Sequence, residues 1–125
     1  MKTIQNDATF LLEIEKSKFY AFAFHCDDVE LFKLRLSQIK KDNPKAKHVV
    51  YGYRIGNASK STDDGEPKGT AGRPILELLN LKDLTDTALI IVRYFGGTKL
   101  GASRLLRTYM KAASSALNKA EEKEN

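Results

Sequence analysis

Thr87-Ala88-Leu89-Ile90-Ile91-Val92-Arg93-Tyr94, running into Phe95-Gly96-Gly97, has one natural place in a folded chain: the middle of a sheet. A run this continuously apolar lacks the alternation of a half-solvated strand and suits a central strand buried on both faces. Its end is marked by the paired glycines, and a helix is expected beyond them. That helix should begin at Thr98 or Lys99 and run to about Ala120, with Leu106, Tyr109, Met110, Ala113, Ala116 and Leu117 on one face. Lys99, Arg104, Arg107 and Lys111 fall opposite, as a basic stripe toward solvent.

Before that strand, Thr9 to Ile14 and Phe19 to Phe24 are rich in β-compatible residues, and the four polar residues between them read as a hairpin turn. Asp27 followed by Glu30 makes a capping box. Val29, Phe32, Leu36 and Ile39 then recur at helical spacing until Asn43-Pro44 ends the helix. His48 to Ile55 alternates strictly, placing Val49, Tyr51, Tyr53 and Ile55 on one side of a third strand. Gly56 to Gly72 shows no period and is expected to be a long loop. Arg73-Pro74 opens a short helix with Ile75, Leu78 and Leu79 on one face. The order is strand, strand, helix, strand, helix, strand, helix.

The 125 residues are the size of one domain, and 42% hydrophobic residues suffice for an ordinary core. The formal charge of +5 fits either a polyanionic partner or plain solubility. Cys26, the single cysteine, cannot form an internal disulfide, and no CxxC or His-rich run offers a zinc site. Cys26 precedes a helix cap, a position that lowers a thiol pKa, but lacks a base to make it a nucleophile. No stretch approaches a membrane span and no apolar leader opens the chain, so a cytoplasmic protein is expected.

Two segments carry candidate chemistry. The first, Ser61 to Pro74, gathers Asp63, Asp64, Glu66, Gly69, Thr70, Gly72 and Arg73 at a helix start. Its glycines and helix N-terminus would suit an anion. Its carboxylates would equally serve to cap backbone amides and hold a tight turn, and they match no metal-ligand spacing. The second, Phe95 to Gly101, is neither a P-loop nor a dinucleotide fingerprint. Gly96, Gly97 and Lys99, with Arg104, Arg107 and Lys111 beyond, could still cradle phosphate, or the glycines could simply allow a sharp turn. Arg93, at the end of a buried strand, needs a carboxylate such as Asp63, Asp64 or Glu66. His48 and His25 have no triad-like partners and read as hydrogen-bonded structural residues.

Together, Asp63-Asp64-Gly65-Glu66-Pro67-x-Gly69-Thr70-Ala71-Gly72-Arg73-Pro74 and Arg93-Tyr94-Phe95-Gly96-Gly97-x-Lys99-Leu100-Gly101 resemble the signature of the IMPACT/YigZ family, in its N-terminal domain. Ser17-Lys18-Phe19, Pro44-x-Ala46-x-His48 and Arg107-x-Tyr109 support the match, which spans nearly the whole chain. Where the family usually continues Leu-Gly-x-Gly-Gly-Leu, this sequence has Leu100-Gly101-Ala102-Ser103-Arg104-Leu105. The resemblance implies an α+β two-layer sandwich of the ribosomal protein S5 domain 2-like type, a four-stranded sheet with helices on one face. Residues 1–120 are expected to form the domain and 121–125 a polar tail, without the ferredoxin-like C-terminal domain of many bacterial relatives. The resemblance also implies a link to translation, which eukaryotic relatives regulate.

The expected function is a non-catalytic module that binds RNA or a ribosome-associated factor, with no cofactor and no metal. Phosphates would meet Lys99, Arg104, Arg107 and Lys111, joined by Arg73 or Arg93, and bases would stack on Tyr51, Tyr53 or Tyr94 if these are exposed. The alternatives are an enzyme acting on a phosphorylated or anionic small molecule, with Asp63, Asp64 or Glu66 as base or metal ligand and Lys99 holding the anion, and a protein-interaction domain that reads no nucleic acid.

Overall fold

The apolar run at Thr87–Tyr94 does lie in the centre of a sheet. The computed structural model describes residues 1–125. In chain order the elements are β1 (Lys2–Ile4), β2 (Ala8–Ile14), β3 (Ser17–His25), α1 (Val29–Asp42), β4 (His48–Ile55), β5 (Ala58–Thr62), α2 (Gly72–Leu81), β6 (Thr87–Tyr94), α3 (Ala102–Asn118) and β7 (Glu122–Glu124). Five of the strands form an antiparallel sheet in the order β2-β3-β6-β4-β5.

The sheet has five strands, not four. Ala58–Thr62 falls inside the expected loop and pairs with β4 as an edge strand. Its exposed, polar Ala-Ser-Lys-Ser-Thr sequence carries none of the apolar alternation that marks a buried strand. Polar Glu122–Glu124 likewise pairs with β1 as a separate two-stranded ribbon, which the core holds only through Ile4 of β1.

Helices cover both faces, so the expected two-layer arrangement is also corrected. Leu89 and Ile91 of β6 join Phe19, Ala21 and Val50 under α2 and α3, where Ile75, Leu79, Tyr109, Ala113 and Leu117 pack. Ala88, Ile90 and Val92 point the other way, into a second core with Phe32 and Ile39 of α1 and Val49, Tyr53 and Ile55 of β4. β6 is buried on both sides because each face has its own helical cover, as its sequence requires.

Local signals account for the helix limits. Asp28, one residue beyond the expected Asp27, is the N-cap of α1 and accepts from the Glu30 amide at 2.8 Å. α3 starts at Ala102 rather than at Thr98 or Lys99 because Gly101, at φ +83°, lies outside helical space. Its inward face is made by Leu105, Tyr109, Ala112, Ala113, Ala116 and Leu117, while Leu106 and Met110 are exposed. A face weighted toward alanine lets the helix axis sit close to the sheet and turns the two larger side chains outward.

Candidate functional site

A row of side chains crosses the sheet beneath the start of α3. Phe19 on β3, Arg93 on β6 and His48 on β4 are register partners, so all three project from the same face. Arg93 is 4% exposed, and Glu66 from the bend before α2 meets it there. Both Glu66 oxygens accept from Arg93 Nη1, at 2.9 and 2.7 Å. The Tyr109 hydroxyl of α3 donates to Glu66 Oε2. Burial first, and the bond to Glu66 second, push the tyrosine pKa far up, so Tyr109 remains a donor. Phe19 packs edge-on against Tyr109 and also faces the guanidinium, which Phe95 approaches from outside.

His48 closes the cluster. Its Nδ1 lies 2.6 Å from the Asp64 carbonyl, which can only accept, so Nδ1 carries the hydrogen. That fixes Nε2 toward Glu66 Oε1 at 3.4 Å. Asp64 Oδ2 meanwhile accepts from the Val49 amide at 2.7 Å, tying the bend to the start of β4.

The three carboxylates therefore have separate tasks. Asp63 takes three backbone amides, Gly69 at 2.9 Å, Ala71 at 3.1 Å and Gly72 at 2.9 Å, and so caps α2 from a distance. Asp64 clamps the bend to β4. Glu66 neutralises the buried cation. Thr70 closes the turn by donating through its hydroxyl to the Pro67 carbonyl at 2.5 Å.

The second glycine segment is positioned by close packing. A side chain on Gly96 would drive its first carbon into the backbone of Lys16 and Ser17, so only glycine lets this turn rest on the β2–β3 hairpin. The Gly96 amide also donates to Ser17 Oγ at 3.1 Å. Gly97 and Lys99 beyond it are exposed.

Between the two segments lies a cavity of about 380 Å³. Lys47, His48, Glu66, Pro67 and Arg93 line one side, and Phe95, Lys99 and Gly101 the other. Both motifs thus reach one concave place. Behind this wall, Nε of Arg93 is buried with no acceptor, since all hydrogen bonds from this side chain leave through Nη1. The α3 amides of Ala102, Ser103 and Arg104 also lack acceptors, the first helical bond being Leu105 to Gly101.

The remaining cations lie apart from this row. Arg73 pairs with Glu77 on the exposed side of α2, a bond that raises its pKa. Arg104 pairs with Glu15 at 2.7 Å, and Arg107 bonds Ser103. Lys111 is exposed one turn further along α3. The tyrosines expected to stack on bases are engaged with α1: Tyr53 is 5% exposed, Tyr51 packs on Phe32, and Tyr94 donates to Asn43 at 2.5 Å. Phe95, 46% exposed, is the aromatic surface at the cavity.

Sequence reasoning missed Lys47, Pro67 and Phe95 as lining residues; the signal for Lys47 was its place beside His48 at a strand start. Burial raises the Cys26 pKa, against the lowering expected from its place before a cap.

A mixed α+β domain with a cationic cavity braced by a buried Glu-Arg-Tyr cluster is the class these features define. Residues 15–117 match the Impact N-terminal domain, and the chain belongs to that family. It is 40% identical over 119 residues to the IMPACT family member YvyE of Bacillus subtilis, covering 93% of this chain and 55% of that protein. It is 34% identical over 114 residues to the IMPACT family member YigZ of Escherichia coli, covering 87% and 56%. The chain thus spans about half the length of these curated relatives. The crystal structure of a hypothetical protein, 30% identical, superposes with a TM-score of 0.93, covering 98% of this chain and 62% of that one. No helix is long and apolar enough to cross a membrane.

Proposed function

We propose that this domain is a binding module for RNA, engaged through the exposed cations of α3 and the cavity mouth from which that helix starts. The observation that carries the reading is the continuity of unneutralised positive charge. Lys47 and Lys99 stand at the cavity, and Arg107 and Lys111 continue along the exposed side of α3, none paired with an acid. Arg104, between them, is held by an exposed ion pair with Glu15, the kind that a competing phosphate displaces at small cost. Asp63 commits both oxygens and Asp64 its Oδ2 to backbone amides, which favours binding over acid-base chemistry in the bend. The role of eukaryotic relatives in translation, implied by the resemblance, makes ribosomal RNA the first ligand to try.

Fluorescence anisotropy with a structured ribosomal RNA fragment tests the reading. Affinity should fall steeply with salt, and R107E/K111E should weaken binding at least about tenfold. The same double variant should flatten the salt slope by roughly one unit for each phosphate it no longer neutralises. Binding that ignores both salt and charge reversal would overturn it.

A further inference from the structure

We infer that the cavity between the two glycine segments is a nucleotide site, with phosphate at Lys47, Lys99 and the open first turn of α3, and the base against Phe95 and Pro67. This deepens the RNA reading and rests on it for the sign of the ligand's charge.

The electrostatics come first. Glu66 is compensated by Arg93 and accepts from Tyr109, so the charge left over on the wall belongs to the two lysines. Arg93 is more than nine-tenths buried on that wall, and its Nε has no acceptor in the protein. A buried donor without a partner is costly, and it leaves the guanidinium behind this wall short of acceptors, which adds to the positive potential of the cavity. The three unpaired amides at the start of α3 add oriented dipoles of the same sign. No acidic residue occupies the first turn of that helix to compete with a ligand.

Size and lining then narrow the ligand. About 380 Å³ is far more than a lone phosphate fills and lies in the range of small-ligand pockets. Phe95 presents a ring nearly half exposed, and Pro67, Leu100 and Leu105 continue the apolar lining. Anionic at one end, flat and apolar at the other, a nucleotide unit matches both halves. Free nucleotide and a strand end share that chemistry.

The test is an amide chemical-shift titration of the whole chain with AMP, inorganic phosphate and a 5′-phosphorylated oligoadenylate. AMP should shift amides between Phe95 and Arg104. Lys99→Glu should weaken AMP about tenfold, and Phe95→Ala should weaken AMP about tenfold while leaving inorganic phosphate unchanged. Both side chains are exposed, so melting temperatures should match the parent and certify folding. Oligoadenylate tighter than AMP on the same footprint assigns the site to a strand end, and equal affinities assign it to free nucleotide; either supports the proposal. No AMP footprint at these amides, or variants that bind AMP like the parent, overturns it. RNA binding along α3 without that footprint sinks the nucleotide site and leaves the module reading standing. An AMP footprint without RNA binding does the reverse.

Discussion

The bend at Asp63–Arg73 and the turn at Phe95–Gly101 look alike in composition, since each is glycine-rich and each delivers the chain into a helix. They differ in what happens to the helix donors. At α2 the Ala71 and Gly72 amides are taken by Asp63. At α3 the N-cap is Gly101, with no side-chain cap, and the first amides are open. Similar local chemistry is met by a side chain in one place and by none in the other, and Gly101, where the unmet turn begins, lines the cavity. Acidic residues in the bend brace the fold. Unsatisfied donors in the turn are what the proposed binding would use.

The largest way to break this contrast is Glu66→Ala. It strands a buried guanidinium and the Tyr109 hydroxyl, and should cost about 3–5 kcal/mol in urea unfolding. A loss below about 1 kcal/mol would remove the bend from the structural side of the comparison. Replacing Glu66 and Arg93 together by leucine should cost less than Glu66→Ala alone, because no lone charge remains.

Asp63→Ala comes next. Three amides lose their acceptor, so the loss should be near the upper end for a helix cap, about 2 kcal/mol, read from the urea midpoint. The mirror-image change is Ser103→Asp, which supplies α3 with the first-turn acid it lacks. It should raise stability by about 0.5 kcal/mol and weaken AMP and RNA together. Gain of stability with unchanged binding would show that the open turn is not part of the site.

The smallest effect concerns a carboxylate outside both segments. The Asn125 side chain, and then the Gly56 amide, hold Asp86 below its usual pKa. A depressed folded pKa contributes stability that is complete above the unfolded value, about 4, and is lost as pH falls through the folded value. Because Asp86 is partly exposed, the amount is a few tenths of a kcal/mol. Asp86→Asn should flatten the acid limb of the stability curve by that much and no more, measured by unfolding from about pH 6 downward.

Much of this arrangement is legible in the sequence where burial forces the pattern. The apolar run of β6, the alternation of Val49, Tyr51, Tyr53 and Ile55, and the helical spacing of Phe32 and Ile39 all mark side chains that meet a core. β5 and β7 escape notice because they are exposed edges whose stability lies in backbone pairing, which leaves no trace in residue type. The rotation of α3 is missed for a related reason: Leu106 and Met110 are as apolar as Leu105, and only the seating of small alanines on the sheet chooses among them. In the site, Arg93's need for a carboxylate is readable. That the partner is Glu66 rather than Asp63 or Asp64 depends on the backbone path of the bend.

The sheet order β2-β3-β6-β4-β5 also has a consequence for how the chain assembles. Its two hairpins are each complete within a short span of sequence, yet the strand that stitches them together emerges last. Until residues 87–94 have left the ribosome, the inner edges of β3 and β4 have no partner strand, and any hairpin that forms presents a raw edge to a chaperone or to a neighbouring nascent chain. Arrival of the central strand then joins both halves and supplies the Arg93 that Glu66 awaits, and Tyr109 of α3 completes the buried cluster only after the sheet can close.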